Sequence, residues 1–233
     1  MGGVLMNRIE FSKKYLIFSL GLFINAIGVV FVTKANLGTS PNASIPYVLS
    51  MALPLTIGQF TILLNLLLIG LQFFITRRQF PLVQLLQIPV SIAFGYLIDF
   101  CMDYLFYWIN PEGYAAKMAF LLIGCIILAF SVFLEFTADV IVLPGEGLTN
   151  AIHAVTGWEK GVVKVSIDAA MSGTALLFAL YFFHAPNGVR EGTIIAAILV
   201  GIVSKQFDRM FGKRLLAWIH ASGKATPQTA AMK

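Results

Sequence analysis

Apolar residues run along this chain in blocks as long as a bilayer is thick, separated by short polar stretches. The blocks are Tyr15 to Thr33, Ile57 to Thr76, Pro81 to Trp108, Ala116 to Ala138, Gly161 to Phe183 and Thr193 to Phe207, the last of them short. A spanning helix needs about 17–25 predominantly apolar residues. The pattern predicts an all-α membrane protein with about six transmembrane helices. Two further segments, Ser40 to Leu53 and Pro144 to Thr156, are helix-like but hold only about 13 or 14 residues, below that range. They are expected as re-entrant or broken helices.

The order of blocks repeats. Adding 103 to a residue number in the first half lands on the same residue type at Gly21 and Gly124, Ala26 and Ala129, Ala35 and Ala138, Pro41 and Pro144, Gly58 and Gly161, and Gly70 and Gly173. Polar positions follow, with Asn36 opposite Asp139 and Asn65 opposite Asp168. The expected organisation is a first membrane repeat over 15–108 and a second over 116–215. A cytoplasmic segment over 1–14 precedes them, and a disordered cytoplasmic tail over 221–233 follows, where periodicity and apolar mass are both lacking. An odd number of crossings separates the halves, so the repeats are expected to be inverted. Secondary transporters built this way bind substrate near the midplane, beside interrupted helices.

Charge sets the orientation. Short cytoplasmic loops carry excess Lys and Arg. If both short segments return to the side they left, Arg77, Arg78, Lys160, Lys205, Arg209, Lys213 and Arg214 fall inside with both termini. The loop containing Asp103 and Glu112 then falls outside. Arg8, Lys13 and Lys14 ahead of Tyr15 have the charge order of a signal peptide, but the apolar stretch is too long for one. An uncleaved first span is expected.

Composition narrows the function classes. Of 233 residues 58% are apolar and 12% charged, against about 25% charged in a soluble domain. The net charge of +5 comes from short basic groups flanking apolar blocks; a nucleic-acid surface needs a clustered stripe instead. Cys101 and Cys125 lie in or beside apolar runs without His or Cys at ligand spacing, and are expected as packing thiols with no metal and no cofactor. Nucleophile-elbow, zinc-protease and phosphate-loop patterns are missing, so an enzyme is not expected. Asn42-Ala-Ser44 matches a glycosylation sequon, which matters only in a eukaryotic secretory pathway.

The candidate chemistry gathers at the short segments. Ser40-Pro-Asn-Ala-Ser44 and Pro144-Gly-Glu-Gly147 put Pro and Gly where a helix would begin, leaving backbone N–H groups without intrahelical partners. Two such ends facing one cavity would present oriented dipoles to a substrate; alternatively Ser40, Asn42 and Thr149 simply cap these helices. Glu146 is singled out because a carboxylate at membrane depth is expensive unless paired, hydrated or protonated. Asp168 shares a helix face with Lys164, four residues earlier, and could pair with it. Ser40, Asn42, Asn65, Glu146, Thr149, Asn150 and Asp168 form the expected substrate- or ion-binding set. Glu135, Asp139, Lys34, Asn36 and Asp99 lie near predicted interfaces where charge is cheap, Gln59 and Gln87 suit interhelical hydrogen bonds, and His153 suits a packed neutral role.

The stretch Ala35-Asn-Leu-Gly-Thr-Ser-Pro-Asn42, together with Leu143-Pro-Gly-Glu-Gly-Leu148, resembles the YczE/YyaS/YitT family of bacterial membrane proteins, closest to the YczE branch. The likeness covers roughly Ile9 to Leu215. It implies a multi-pass protein of the bacterial plasma membrane and supplies no catalytic residues to carry over. The leading expectation is a secondary transporter or permease for a small molecule or ion. The competing one is a non-transporting scaffold or accessory protein that binds another protein.

Overall fold

The computed structural model describes residues 8–77 and 80–221. Residues 1–7 of the expected amino-terminal segment, Arg78, and the expected tail past Ala221 lie outside the described residues.

Nine α-helices follow one another among the described residues: α1 Arg8–Lys34, α2 Pro41–Ala52, α3 Ile57–Thr76, α4 Gln87–Phe100, α5 Gly113–Ala138, α6 Pro144–Thr156, α7 Lys160–Phe183, α8 Glu191–Phe207 and α9 Lys213–His220. A 3-10 turn, Leu82–Leu86, leads into α4 and a wide turn, Cys101–Leu105, continues it, so that Leu82–Leu105 forms one apolar rod. α1, α3, that rod, α5 and α7 are long and apolar enough to cross a membrane. The sixth expected span, α8, has 17 residues, the short end of the crossing range. No strand occurs among the described residues.

Side-chain contacts define two faces. Lys13 Nζ donates to the Trp218 carbonyl at 2.8 Å and Glu10 stands 2.9 Å from His220 Nδ1, which puts the start of α1 and α9 on one face. The end of α5 joins them, since Ile17 and Phe18 pack in one cluster with Phe133, Leu134 and Ala138. On the opposite face Lys34 Nζ donates to the Tyr107 and Ile109 carbonyls, each at 3.4 Å, and the Gly192 N–H donates to the Leu37 carbonyl at 2.8 Å. There too Asp99 Oδ1 accepts from the Gly58 N–H at 2.8 Å. α1 ends and α3 begins on this opposite face, so α2 returns to the side it left. α5 ends and α7 begins on the face of the termini, so α6 does the same from the other direction.

The centre of the bundle is the crossing of α1 and α5. Gly28 lies so close to α5 that an added Cβ would meet Leu128 Cγ at 2.7 Å, and one on Gly124 would meet Val32 Cγ2 at 2.6 Å. One on Gly21 would meet Glu135 Cγ at 3.1 Å. Residue order reverses between the helices, so they pack antiparallel. Lipid tails are as apolar as leucine, hence close approach through small residues, rather than a hydrophobic gain, holds such helices together. Cys101 and Cys125 are fully buried free thiols in this core. The outer faces are apolar too, as Ile194, Ile198 and Ile202 along α8 show at 66%, 59% and 62% exposure.

Around this centre α2 packs on α7 and α6 packs on α3. α1 and α5 both end in a left-handed residue, Asn36 at φ 52° and Asp139 at φ 48°. Short polar side chains tolerate that conformation best among residues with a Cβ. Gln59 turns out to serve its own helix: its side chain accepts from the Thr56 N–H at 3.1 Å and Thr56 Oγ1 accepts from the Gln59 N–H at 3.1 Å, closing a capping box at the start of α3. The interhelical role expected for it is therefore corrected. Its side chain sits at position N3, where a local partner is within reach.

Candidate functional site

α2 and α6 begin alike. Pro41 and Pro144 occupy their first turns, preceded by Ser40 at φ −62°, ψ 151° and Leu143 at φ −62°, ψ 152°. Proline suits that position because its missing N–H is one of the unpaired ones anyway. Neither helix receives a side-chain cap. Ser44 Oγ donates to the Pro41 carbonyl at 2.6 Å and Thr149 Oγ1 to the Gly145 carbonyl at 3.1 Å, so both hydroxyls bond to carbonyls. The capping expected of Ser40, Asn42 and Thr149 does not occur. The earliest turn bonds run from the Ala43 N–H to Ser40 at 3.0 Å and from the Gly147 N–H to Leu143 at 2.8 Å. The N–H groups of Asn42, Gly145 and Glu146 precede them.

The two amino ends meet. A Cβ built on Gly145 would stand 3.3 Å from Asn42 Oδ1 and 3.5 Å from Asn42 Nδ2, so the Asn42 amide lies against the first turn of α6. α2 enters from one face and α6 from the other, and their positive dipole ends face each other within the bundle.

Beside this junction stands an ion triad. Lys164 Nζ lies 3.0 Å from Glu146 Oε1 and 3.0 Å from Asp168 Oδ1. The side chains keep 28%, 30% and 19% exposure for Lys164, Glu146 and Asp168. Lys164 and Asp168 lie four and eight residues beyond the start of α7, about 6 and 12 Å along its axis at 1.5 Å per residue. The expected Lys164–Asp168 pair forms, and the lysine reaches across to Glu146 as well. Two carboxylates about one ammonium leave one negative charge in excess.

Glu135 and two glutamines complete the surroundings. Glu135 Oε1 accepts from Asn25 Nδ2 at 3.0 Å across the α1–α5 crossing; the sequence alone had placed it as an interfacial charge. Gln72 Nε2 donates to Gln87 Oε1 at 3.2 Å and to the Pro144 carbonyl at 3.0 Å. Both glutamines are shut off from solvent, at 0% and 1% exposure. Gln87 thus makes the interhelical bond expected of it. Gln72 was missed, although the same signal, an amide inside an apolar block, marks it. Among the described residues the side chains of Asn42, Asn65 and Asn150 make no hydrogen bond, and no hydrogen bond or ion pair ties Asn65 or Asn150 to the triad, although Asn150 follows Glu146 by four residues on the same face of α6.

The remaining polar residues fasten helix ends and loops. Asp99 Oδ2 accepts from Thr56 Oγ1 at 2.6 Å, which with its bond to Gly58 holds the start of α3. His153 Nδ1 lies 2.6 Å from the Trp158 carbonyl, tying the turn after α6. The Thr39 N–H donates to Thr193 Oγ1 at 3.3 Å, and Gly38 turns there at φ 113°, where a Cβ would stand 2.6 Å from that hydroxyl oxygen. The loop leading into α2 is thereby pinned to the start of α8.

Helices of this length and apolarity, with two short helices turned back inside the bundle, define an all-α multi-pass membrane protein. Residues 12–209 match a family of unknown function, DUF6198, and the chain belongs to that family. It is 27% identical over 197 residues to the uncharacterized membrane protein YczE of Bacillus subtilis, covering 83% of this chain and 85% of YczE. It is 23% identical over 209 residues to the uncharacterized protein YyaS of the same organism, covering 88% of this chain and 96% of YyaS. No solved structure matches.

Proposed function

We propose that this protein is a secondary transporter or permease for a small solute, built from two inverted repeats with its site where α2 and α6 meet. The observation that carries the reading is the apposition of Asn42 and Gly145, amino end to amino end, with the Glu146–Lys164–Asp168 triad beside it. Interrupted helices whose amino ends lie inside the membrane offer unpaired N–H groups and a positive dipole to a solute. Such groups need protein, water or ligand as partners there.

Symmetry supports the repeat. Shifting by 103 positions carries the Gly21–Glu135 contact onto the Gly124–Val32 contact with the partners exchanged. The packing of α2 on α7 becomes that of α6 on α3. Ala26 and Ala129, both fully buried, lie where the axis relating the halves would pass. Alternating access by rocking one half against the other about a fixed central site suits this layout.

For orientation, the face of the termini carries Arg8, Lys13, Lys14, Arg77, Lys160, Lys205, Arg209, Lys213 and Arg214 against Lys34, Lys117 and Arg190 on the other. Basic excess supports a cytoplasmic placement of both termini in a bacterial plasma membrane.

The test is a melting-temperature screen of the purified protein against small metabolites and ions, since binding to the folded state alone raises apparent stability. Each hit is repeated on Glu146→Gln and then followed as flux into proteoliposomes. A hit that the variant loses, and that crosses the bilayer only with wild-type protein, is the expected result. A well-folded protein that no solute stabilises, and that carries none, overturns the reading in favour of an accessory protein.

A further inference from the structure

α9 is reached from α8 through the wide turn Asp208–Gly212 and is latched to the base of α1. Lys13 Nζ stands 4.3 Å from the centre of the Trp218 ring while donating to the Trp218 carbonyl, and Ile219 is fully buried against Ile17 and Phe18. Between α9 and the last turns of α5 lies a shallow groove of about 510 Å³, open on its outer side and lined by Phe130, Phe133, Leu134, Phe211, Leu215 and Trp218. Arg214 is the one charged residue lining it. The volume is in the range of small-molecule sites, about 300–1,000 Å³.

Two features specify an occupant. Phe130, Phe133 and Leu134 lie four to eight residues before the end of α5, about 6–12 Å along the axis, so the apolar wall extends to the depth of lipid tails. Arg214 makes no ion pair or hydrogen bond among the described residues. The stretch Lys205–Arg214 carries four basic side chains against one acidic, Asp208. An apolar slot with an unneutralised guanidinium matches an amphiphile with a hydrocarbon tail and an anionic head. Arginine is the side chain best suited to hold a phosphate in two parallel hydrogen bonds.

We infer that this groove binds an anionic phospholipid of the leaflet on the side of the termini, one acyl chain against Phe130, Phe133 and Leu134 and the headgroup phosphate on Arg214. A zwitterionic lipid carries its own ammonium beside the phosphate and leaves Arg214 without a full counter-charge. Phosphatidylglycerol does not.

Native mass spectrometry of the full chain in mild detergent tests this, with phosphatidylglycerol and phosphatidylcholine of identical acyl chains as probes. Wild-type protein retains phosphatidylglycerol about tenfold better. Arg214→Gln loses that preference, while Lys213→Gln, the same charge removed outside the groove, keeps it. Leu215→Trp, which fills the slot, lowers retention of both lipids, and inorganic phosphate at millimolar concentration displaces neither. Equal retention of the two lipids by wild-type protein overturns the site, as does an undiminished preference in Arg214→Gln. Equal loss in Lys213→Gln overturns it too, because the preference then belongs to diffuse surface charge. Displacement by phosphate alone also overturns it, by showing an anion site without a lipid slot.

Discussion

Lys164 Nζ lies 3.0 Å from Glu146 Oε1, which ties the first turn of the short helix α6 to the spanning helix α7. The same ammonium holds Asp168 Oδ1 at 3.0 Å, so removing it strands two carboxylates together. An exposed pair contributes about 0.2–1 kcal/mol, and breaking a buried one costs about 3–5 kcal/mol. With roughly three tenths of the Lys164 and Glu146 side chains exposed, Glu146→Gln is expected to cost about 1–2 kcal/mol and Lys164→Met more. Unfolding of the detergent-solubilised protein measures both, and a double-mutant cycle separates the pair from its setting. A Lys164→Met protein as stable as wild type would show that the triad holds nothing together.

Glycines at the α1–α5 crossing should behave differently from glycines elsewhere. A Cβ on Gly28 would meet Leu128 Cγ at 2.7 Å and the Leu128 backbone nitrogen at 3.0 Å, whereas nothing lies within 4 Å of one on Gly173. Gly28→Ala must push the helices apart and is expected to destabilise by about 1–3 kcal/mol, as overpacking does. Gly173→Ala adds helix propensity worth up to about 1 kcal/mol and is expected to be neutral or stabilising. Melting temperatures of the two variants, side by side, decide this. Equal effects would mean that the crossing is not where the helices are closest.

Element order was legible because it rests on length and on backbone punctuation. Pro41 and Pro144 mark helix starts whatever surrounds them, and Asn36 and Asp139 close helices in the left-handed region for local reasons. Rotation of each helix about its axis was not legible. In water one face of a helix is apolar, but here Ile194 faces outward and Val32 inward with equal apolarity, so periodicity loses its meaning. For that reason the partnership of Gln72 with Gln87 and the Pro144 carbonyl, and that of Asn25 with Glu135, emerged only from the structure. Within the candidate set, Glu146 and Asp168 share Lys164 because local spacing constrains one of the two contacts. Asn65 pairs with Asp168 only in the numbering of the halves.

Gln72 fastens the start of α6, since its Nε2 reaches the Pro144 carbonyl at 3.0 Å in a fully buried setting. Gln72→Leu leaves Gln87 and that carbonyl without their partner, and an unsatisfied buried polar group costs about 1–3 kcal/mol. Replacing both glutamines by leucine removes the orphaned amide, so the double variant is expected to be less destabilised than the sum of the singles. Thermal unfolding of the three variants tests it. Strict additivity would argue that the two amides act independently.

The return of α2 and α6 to the sides they left is testable by labelling. Leu55 and Glu112 lie on the face opposite the termini and Glu159 on the face of the termini, and each is exposed. The native thiols of Cys101 and Cys125 are fully buried, so a membrane-impermeant maleimide should leave the intact protein unlabelled. Single substitutions Leu55→Cys and Glu112→Cys are expected to label from one side of the membrane, and Glu159→Cys only from the other. If α2 crossed the bilayer instead, Leu55→Cys and, two crossings later, Glu112→Cys would both move to the face where α1 starts and label from the same side as Arg8→Cys. That result would pull Asn42 away from Gly145 and remove the meeting of amino ends on which the proposed site rests.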